Sequence, residues 1–164
     1  MSVRRVIRSF AFVDLCGFTA YMDEHGDQDG ILALAALRTA TRASAEEHGV
    51  RIAKWLGDGA MLIGMEHDPV LECTLGIQER LPQASQPPMR GGVSSGPAVL
   101  FEGDDYVGRA VNVAARLCAA ADPWQILVAE ETGASSEGRA DTSIRVRGIS
   151  RSIGVRQLQG SRSG

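Results

Sequence analysis

Two aspartates and one lysine have side chains that could do chemistry together. Asp14 follows the apolar run "SFAFV", and Asp58 sits between Gly57 and Gly59 in "KWLGDGAM". Lys54 stands four residues before Asp58, and it is the only lysine in a chain whose Lys+Arg total is 17. Two carboxylates brought close repel, and each raises the other's pKa unless a cation lies between them. A site of few carboxylates and no nitrogen or sulfur ligand suits Mg²⁺ or Mn²⁺, which keep water and take further ligands from substrate phosphates. Taken singly, each aspartate reads more simply as a turn residue. After Asp14, "CGFT" turns the chain, and the amides of Gly17, Phe18 and Thr19 open a helical turn that could hold phosphate oxygens. In "GRAVNVAARL", Asn112 and Arg116 share a helical face with Arg109, while Ala110, Val113, Ala114 and Leu117 fall roughly opposite. That stripe also reads as an ordinary solvent face, although asparagine is a mediocre helix former.

These residues need elements to position them. Residues 6–15, "VIRSFAFVDL", read as a strand. Asp27 or Asp29 could cap a long helix ending at Gly49. Residues 50–65 read as two strands joined by Gly57-Asp58-Gly59, and Asp68-Pro69 as a helix start. Residues 81–88 read as a loop, 89–103 as a strand and bend, 106–121 as a helix, 125–130 as a strand and 142–159 as a closing strand hairpin. The order is the βαββαβ pattern of a ferredoxin-like α+β sandwich with C-terminal additions. In such a unit the first strand pairs beside the third, so Asp14 and Asp58 should converge.

The 164 residues read as a single domain over 1–164, with a core of about 6–159. Hydrophobic residues make up 44% and charged residues 23%, as in ordinary globular proteins. A net charge of -3 argues against a nucleic-acid polymer or a membrane surface as partner. No segment approaches the ~18–20 apolar residues of a membrane span. The basic-then-apolar N-terminus imitates an export signal, but Asp14 interrupts it, and it reads as a strand. Cys16, Cys73 and Cys118 are odd in number and lack C-x-x-C spacing, which fits unbridged thiols and a cytoplasmic location. Cys73 and Cys118 read as small core residues.

The segments "FAFVDLCGFTAYM", "KWLGDGAM", "MRGGVSSG" and "DDYVGRAVNVAARL" together resemble the class III nucleotidyl cyclase catalytic domain, in particular bacterial adenylate cyclases, in order across about residues 6–159. The resemblance implies conversion of ATP to 3′,5′-cyclic AMP and pyrophosphate with two divalent metal ions, Mg²⁺ or Mn²⁺. It makes Asp14 and Asp58 the metal ligands, Lys54 and Asp105 the readers of adenine, and Asn112 and Arg116 the pair that positions ribose and steadies the transition state. Arg90 in "MRGG" matches a phosphate-contacting arginine, and Arg147 in "VRG" falls where the family often has a basic phosphate ligand. The resemblance also implies a homodimer, one partner supplying the metal ligands and the other Lys54, Asp105, Asn112 and Arg116 at each interface site. "VSSG" departs from the family's more common His-Thr-Gly. Asp104 lies beside Asp105, and the seven-residue spacing to Asn112 favours Asp105. The sequence shows no sensor or transmembrane segment, so family modes of regulation do not carry over. Rival readings are a guanylate or relaxed cyclase, and a non-catalytic nucleotide-binding or dimerisation module.

Overall fold

A computed structural model describes residues 3–84, 87–129, 142–145 and 152–157. Strand β1 (Val3–Leu15) leads into helices α1 (Phe18–His25) and α2 (Asp27–His48). A hairpin of β2 (Arg51–Leu56) and β3 (Gly59–Gly64) follows, then α3 (His67–Arg80), β4 (Met89–Phe101) and the short β5 (Asp105–Val107). Helix α4 (Arg109–Ala120) precedes β6 (Ile126–Ala129), β7 (Thr142–Arg145) and β8 (Ser152–Gln157). The strands form one sheet in the order β2-β3-β1-β4-β6-β8-β7, with β5 pairing on β4. The first four strands reproduce the ferredoxin-like order, β1 lying antiparallel between β3 and β4. Strand β6 then joins parallel to β4, and β7 and β8 pair antiparallel as the expected closing hairpin.

Side-chain alternation along β1 builds two layers. Ala11, Val13 and Leu15 pack in one cluster with Leu37 and Ala40 of α2 and Val70 and Ile77 of α3. Phe10 packs with Ala110 and Ala114 of α4, with Phe12 against the same cluster. Asp14 continues the Phe10–Phe12 set and so belongs to the α4 side of the sheet. Cys73 and Cys118 are buried, as read from the sequence. Among the described residues no helix is long and apolar enough to cross a membrane.

Several local boundaries differ from the sequence reading. The helix expected over 106–121 begins only at Arg109, because Tyr106 and Val107 pair with Leu100 and Val99 of β4. Hairpin pairing with the end of β4, just across the turn at residues 102–104, outweighs the local helical pattern there. From Phe18, inside "CGFT", the chain forms a separate eight-residue helix, α1, before α2 begins. Asp27 and Asp29 do not cap α2; both lie in its first turn, where they face the helix dipole. Asp68 likewise sits inside the first turn of α3, behind Glu66 at the cap. Gly49 closes α2 in the left-handed conformation, φ 66, that glycine accepts freely.

Helix α4 presses on β4 at Gly92, where an added Cβ would overlap the Cys118 amide nitrogen and the Ala114 carbonyl oxygen. These obstacles are backbone atoms and cannot rotate away. Gly92→Ala is therefore expected to destabilise the fold by about 3 kcal/mol. The measurement is a lowered urea midpoint at unchanged slope.

Candidate active site

The acidic end of the site is made by strand pairing. In the β1–β3 register Asp14 faces Gly59, which places Asp58 next to it. The Leu15 amide donates to the Asp58 carbonyl at 3.2 Å and ties the hairpin turn to the end of β1. Gly59 permits this approach, since a Cβ there would overlap the Val13 carbonyl oxygen and come within 2.9 Å of Asp14 Cβ. The expected convergence of the two aspartates is thus observed. Asp58 is partly buried; that burial, and secondly the Asp14 carboxylate beside it, hold its pKa above the usual carboxylate range. Among the described residues no cluster of three or more His, Cys, Asp and Glu side chains forms. Two carboxylates of this kind fit a hard divalent cation that completes its shell with water and substrate oxygen, and do not fit a closed structural site.

Arg90 is engaged at this same place. It is the cross-strand partner of Asp14 in the β1–β4 register. Its Nε donates to Asp14 Oδ1 at 2.6 Å and its Nη2 to Oδ2 at 3.3 Å. Nη1 donates to the Ala119 carbonyl oxygen at 2.9 Å, near the end of α4. Beside the aspartates, Gly17 adopts φ 63 to turn β1 into α1, whose first residues are Phe18 and Thr19. The Gly17 carbonyl accepts from the Tyr21 amide at 2.9 Å, leaving the amides before Tyr21 at an open helix start.

Lys54 forms a second group. Its Nζ donates to Asp105 Oδ1 at 3.0 Å, with the two side chains 47% and 57% exposed. A bulge in β2 makes this meeting happen. Arg51 pairs with Ile63 and Ile52 with Leu62, but the next partner, Met61, faces Lys54 and not Ala53. The extra residue moves Lys54 onto the face shared by Arg51, Met61 and Ile63. Arg51 Nη2 donates to the Tyr106 hydroxyl at 3.1 Å, and the Tyr106 ring meets Phe10 edge-on at 5.7 Å. This scaffold holds β5, and with it Asp105, over the sheet. Sequence reasoning missed Arg51 and Tyr106; only the position of Arg51, three residues before Lys54, hinted at it.

On α4, Arg109, Asn112 and Arg116 are exposed while Ala110, Val113, Ala114 and Leu117 are buried, as the spacing implied. Ser95, in the divergent "VSSG", hydrogen-bonds Ser9 Oγ and His67 Nδ1, each at 2.6 Å, so these hydroxyls join β1, β4 and α3. Arg147 lies outside the described residues.

No family model matches the chain. The pH-sensitive adenylate cyclase of Mycobacterium tuberculosis is 34% identical over 121 residues, 73% of this chain and 30% of that protein. The structure of the adenylyl cyclase CyaB from P. aeruginosa superposes with a TM-score of 0.81 at 23% identity, covering 99% of this chain and 98% of that one. That of an adenylate/guanylate cyclase/hydrolase from Silicibacter pomeroyi superposes with a TM-score of 0.74 at 27% identity, covering 94% and 96%. The chain belongs to the class III nucleotidyl cyclase catalytic domains. This cyclase domain spans only about a third of the length of the curated relative it matches. Within the cyclase fold its motif residues fall into the Asp14–Asp58–Arg90 group, the Lys54–Asp105 group and the exposed stripe of α4.

Proposed function

We propose that the domain is an adenylate cyclase, closing ATP into 3′,5′-cyclic AMP and releasing pyrophosphate. The ribose 3′-oxygen attacks the α-phosphorus, the bond from that phosphorus to the oxygen bridging to the β-phosphorus breaks, and the hydroxyl proton passes to water or to a substrate phosphate oxygen. Nucleophile and electrophile belong to one molecule, so the protein's main task is to fold the substrate into an in-line pose. Asp14 and Asp58 would hold two divalent ions, Mg²⁺ or Mn²⁺, whose chemistry is to acidify the 3′-hydroxyl and neutralise the departing phosphates. Arg116 offsets charge growing at the α-phosphate, Asn112 orients the ribose, and Arg90 holds the outer phosphates, with Arg147 as a further phosphate ligand. The amides of Gly17, Phe18 and Thr19 donate to phosphate oxygens at the start of α1.

The observation that carries the choice of ATP is the Lys54–Asp105 pair, one donor and one acceptor 3.0 Å apart. Adenine presents an acceptor at N1 and a donor at its 6-amino group, which this pair matches. Guanine reverses both, and each mismatched polar contact costs about 1–3 kcal/mol. An ammonium on a flexible stem suits one acceptor atom, whereas arginine's fork wants two. The domain acts as a homodimer, one protomer presenting Asp14 and Asp58 and its partner presenting Lys54, Asp105, Asn112 and Arg116. Leu56 and Val107, each two residues from a member of the base-reading pair, are exposed apolar side chains that a second copy would cover.

The test is a measurement of cyclic nucleotide and pyrophosphate from ATP or GTP with Mn²⁺ or Mg²⁺. The parent is expected to prefer ATP, and Lys54→Ala to lower kcat/KM for ATP by about tenfold or more while narrowing the ATP/GTP ratio. A parent that prefers GTP overturns the adenine reading. One that binds ATP but forms no cyclic product is a non-catalytic module.

A further inference from the structure

We propose that Arg90 is a latch on the Asp14 carboxylate, opened by the substrate triphosphate, so that metal and nucleotide must arrive together. The inference rests on the reading of Asp14 and Asp58 as the divalent-cation site and adds a device to it. Both oxygens of Asp14 accept from Arg90, through Nε at 2.6 Å and Nη2 at 3.3 Å. A cation approaching that carboxylate meets a fixed positive charge already using the lone pairs it needs. The contact is built into the strands, since Asp14 and Arg90 are Cα partners in the β1–β4 ladder. The pair is also partly shielded, each side chain being 26% exposed, which strengthens the competition relative to open solvent.

A triphosphate offers the guanidinium a substitute. Phosphate oxygens match the planar fork as well as a carboxylate does and carry more charge. When Arg90 turns to the phosphates, it frees both Asp14 oxygens. It also gives up the Ala119 carbonyl, whose residue is exposed and meets water. Among the described residues Asp58, the second carboxylate, has no such clamp. The latch therefore sets the metal affinity of the nucleotide-free site mainly through Asp14, the carboxylate it binds directly. By linkage, whatever factor the nucleotide adds to metal binding the metal adds to nucleotide binding.

The experiment reads metal binding without turnover. Mn²⁺ alone is titrated into the parent, Arg90→Gln, Arg90→Lys and the double variant Asp14→Asn/Arg90→Gln, and free Mn²⁺ is followed by its electron paramagnetic resonance signal. Arg90→Gln is expected to bind Mn²⁺ about tenfold tighter than the parent, Arg90→Lys to fall between them, and the double variant to lose the gain. In a second arm with EDTA, 3′-deoxy-ATP, which lacks the attacking hydroxyl, is expected to bind the parent about tenfold tighter than Arg90→Gln. Near-ultraviolet circular dichroism checks folding, and Arg90→Lys keeps the test open should Arg90→Gln unfold. Equal Mn²⁺ affinity in parent and Arg90 variants overturns the latch and leaves the metal site standing. No Mn²⁺ binding in any variant overturns the latch together with the metal-site reading beneath it.

Discussion

Asp58→Asn is expected to lower cyclic AMP formation by about 10³-fold while leaving the protein folded. The amide keeps the volume and the turn but removes one of the two charges that would hold the divalent ions. Stability should move the other way. Burial, and then Asp14, raise the Asp58 pKa in the folded protein, so its ionised form is disfavoured there relative to the unfolded chain. Below the ordinary value of 3.8 the group is protonated in both states and carries no penalty. As pH rises above 3.8, the unfolded chain releases its proton first and stability falls, until the folded group has also ionised. Asparagine has no such penalty. In metal-free protein the variant's Tm should match the parent's in acid and equal or exceed it at neutral pH. Thermal melts in chelator across that range check the stability claim. A variant that retains parental turnover would remove Asp58 from the chemistry.

Mixing two inactive variants gives the other large effect. Asp14→Asn loses the metal end of the site, and Asn112→Ala loses the ribose-positioning end. Each homodimer then carries two broken sites. A heterodimer carries one site with both lesions and one with none. Random pairing of equal amounts should restore about a quarter of parental activity from a background near zero. The check is the cyclase rate of the mixture against each variant alone, with subunit exchange verified by mass. Heterodimers that form and stay inactive would rule out a site shared between protomers.

Much of this arrangement could be read before any coordinates. The βαββαβ order, the β2–β3 hairpin and the two faces of α4 came from composition and spacing, because apolar periodicity and turn residues are local signals. The convergence of Asp14 and Asp58 followed from topology alone, as a strand at the sheet's centre must end beside its neighbour's turn. Other features were not legible. Tyr106 lies in a strand because it pairs back on Leu100 of β4 across residues 102–104, and the helical pattern running on through "GRAVNVAARL" masks that short hairpin. Arg90 could be read as a cation for phosphate, but its hold on Asp14 depends on a register seventy-six residues across the chain.

By itself, then, the sequence determined which chemical groups are present, in what order, and on which local elements. Tertiary structure decided which of them touch. The bulge in β2 is the clearest case: one unpaired residue carries Lys54 to the face where Asp105 waits, and strict alternation would have turned it to the other side. Strand faces alternate every residue, so a one-residue shift in pairing within the β2–β3 hairpin reverses them, and the carboxylate that Lys54 then meets lies 51 residues away in the chain.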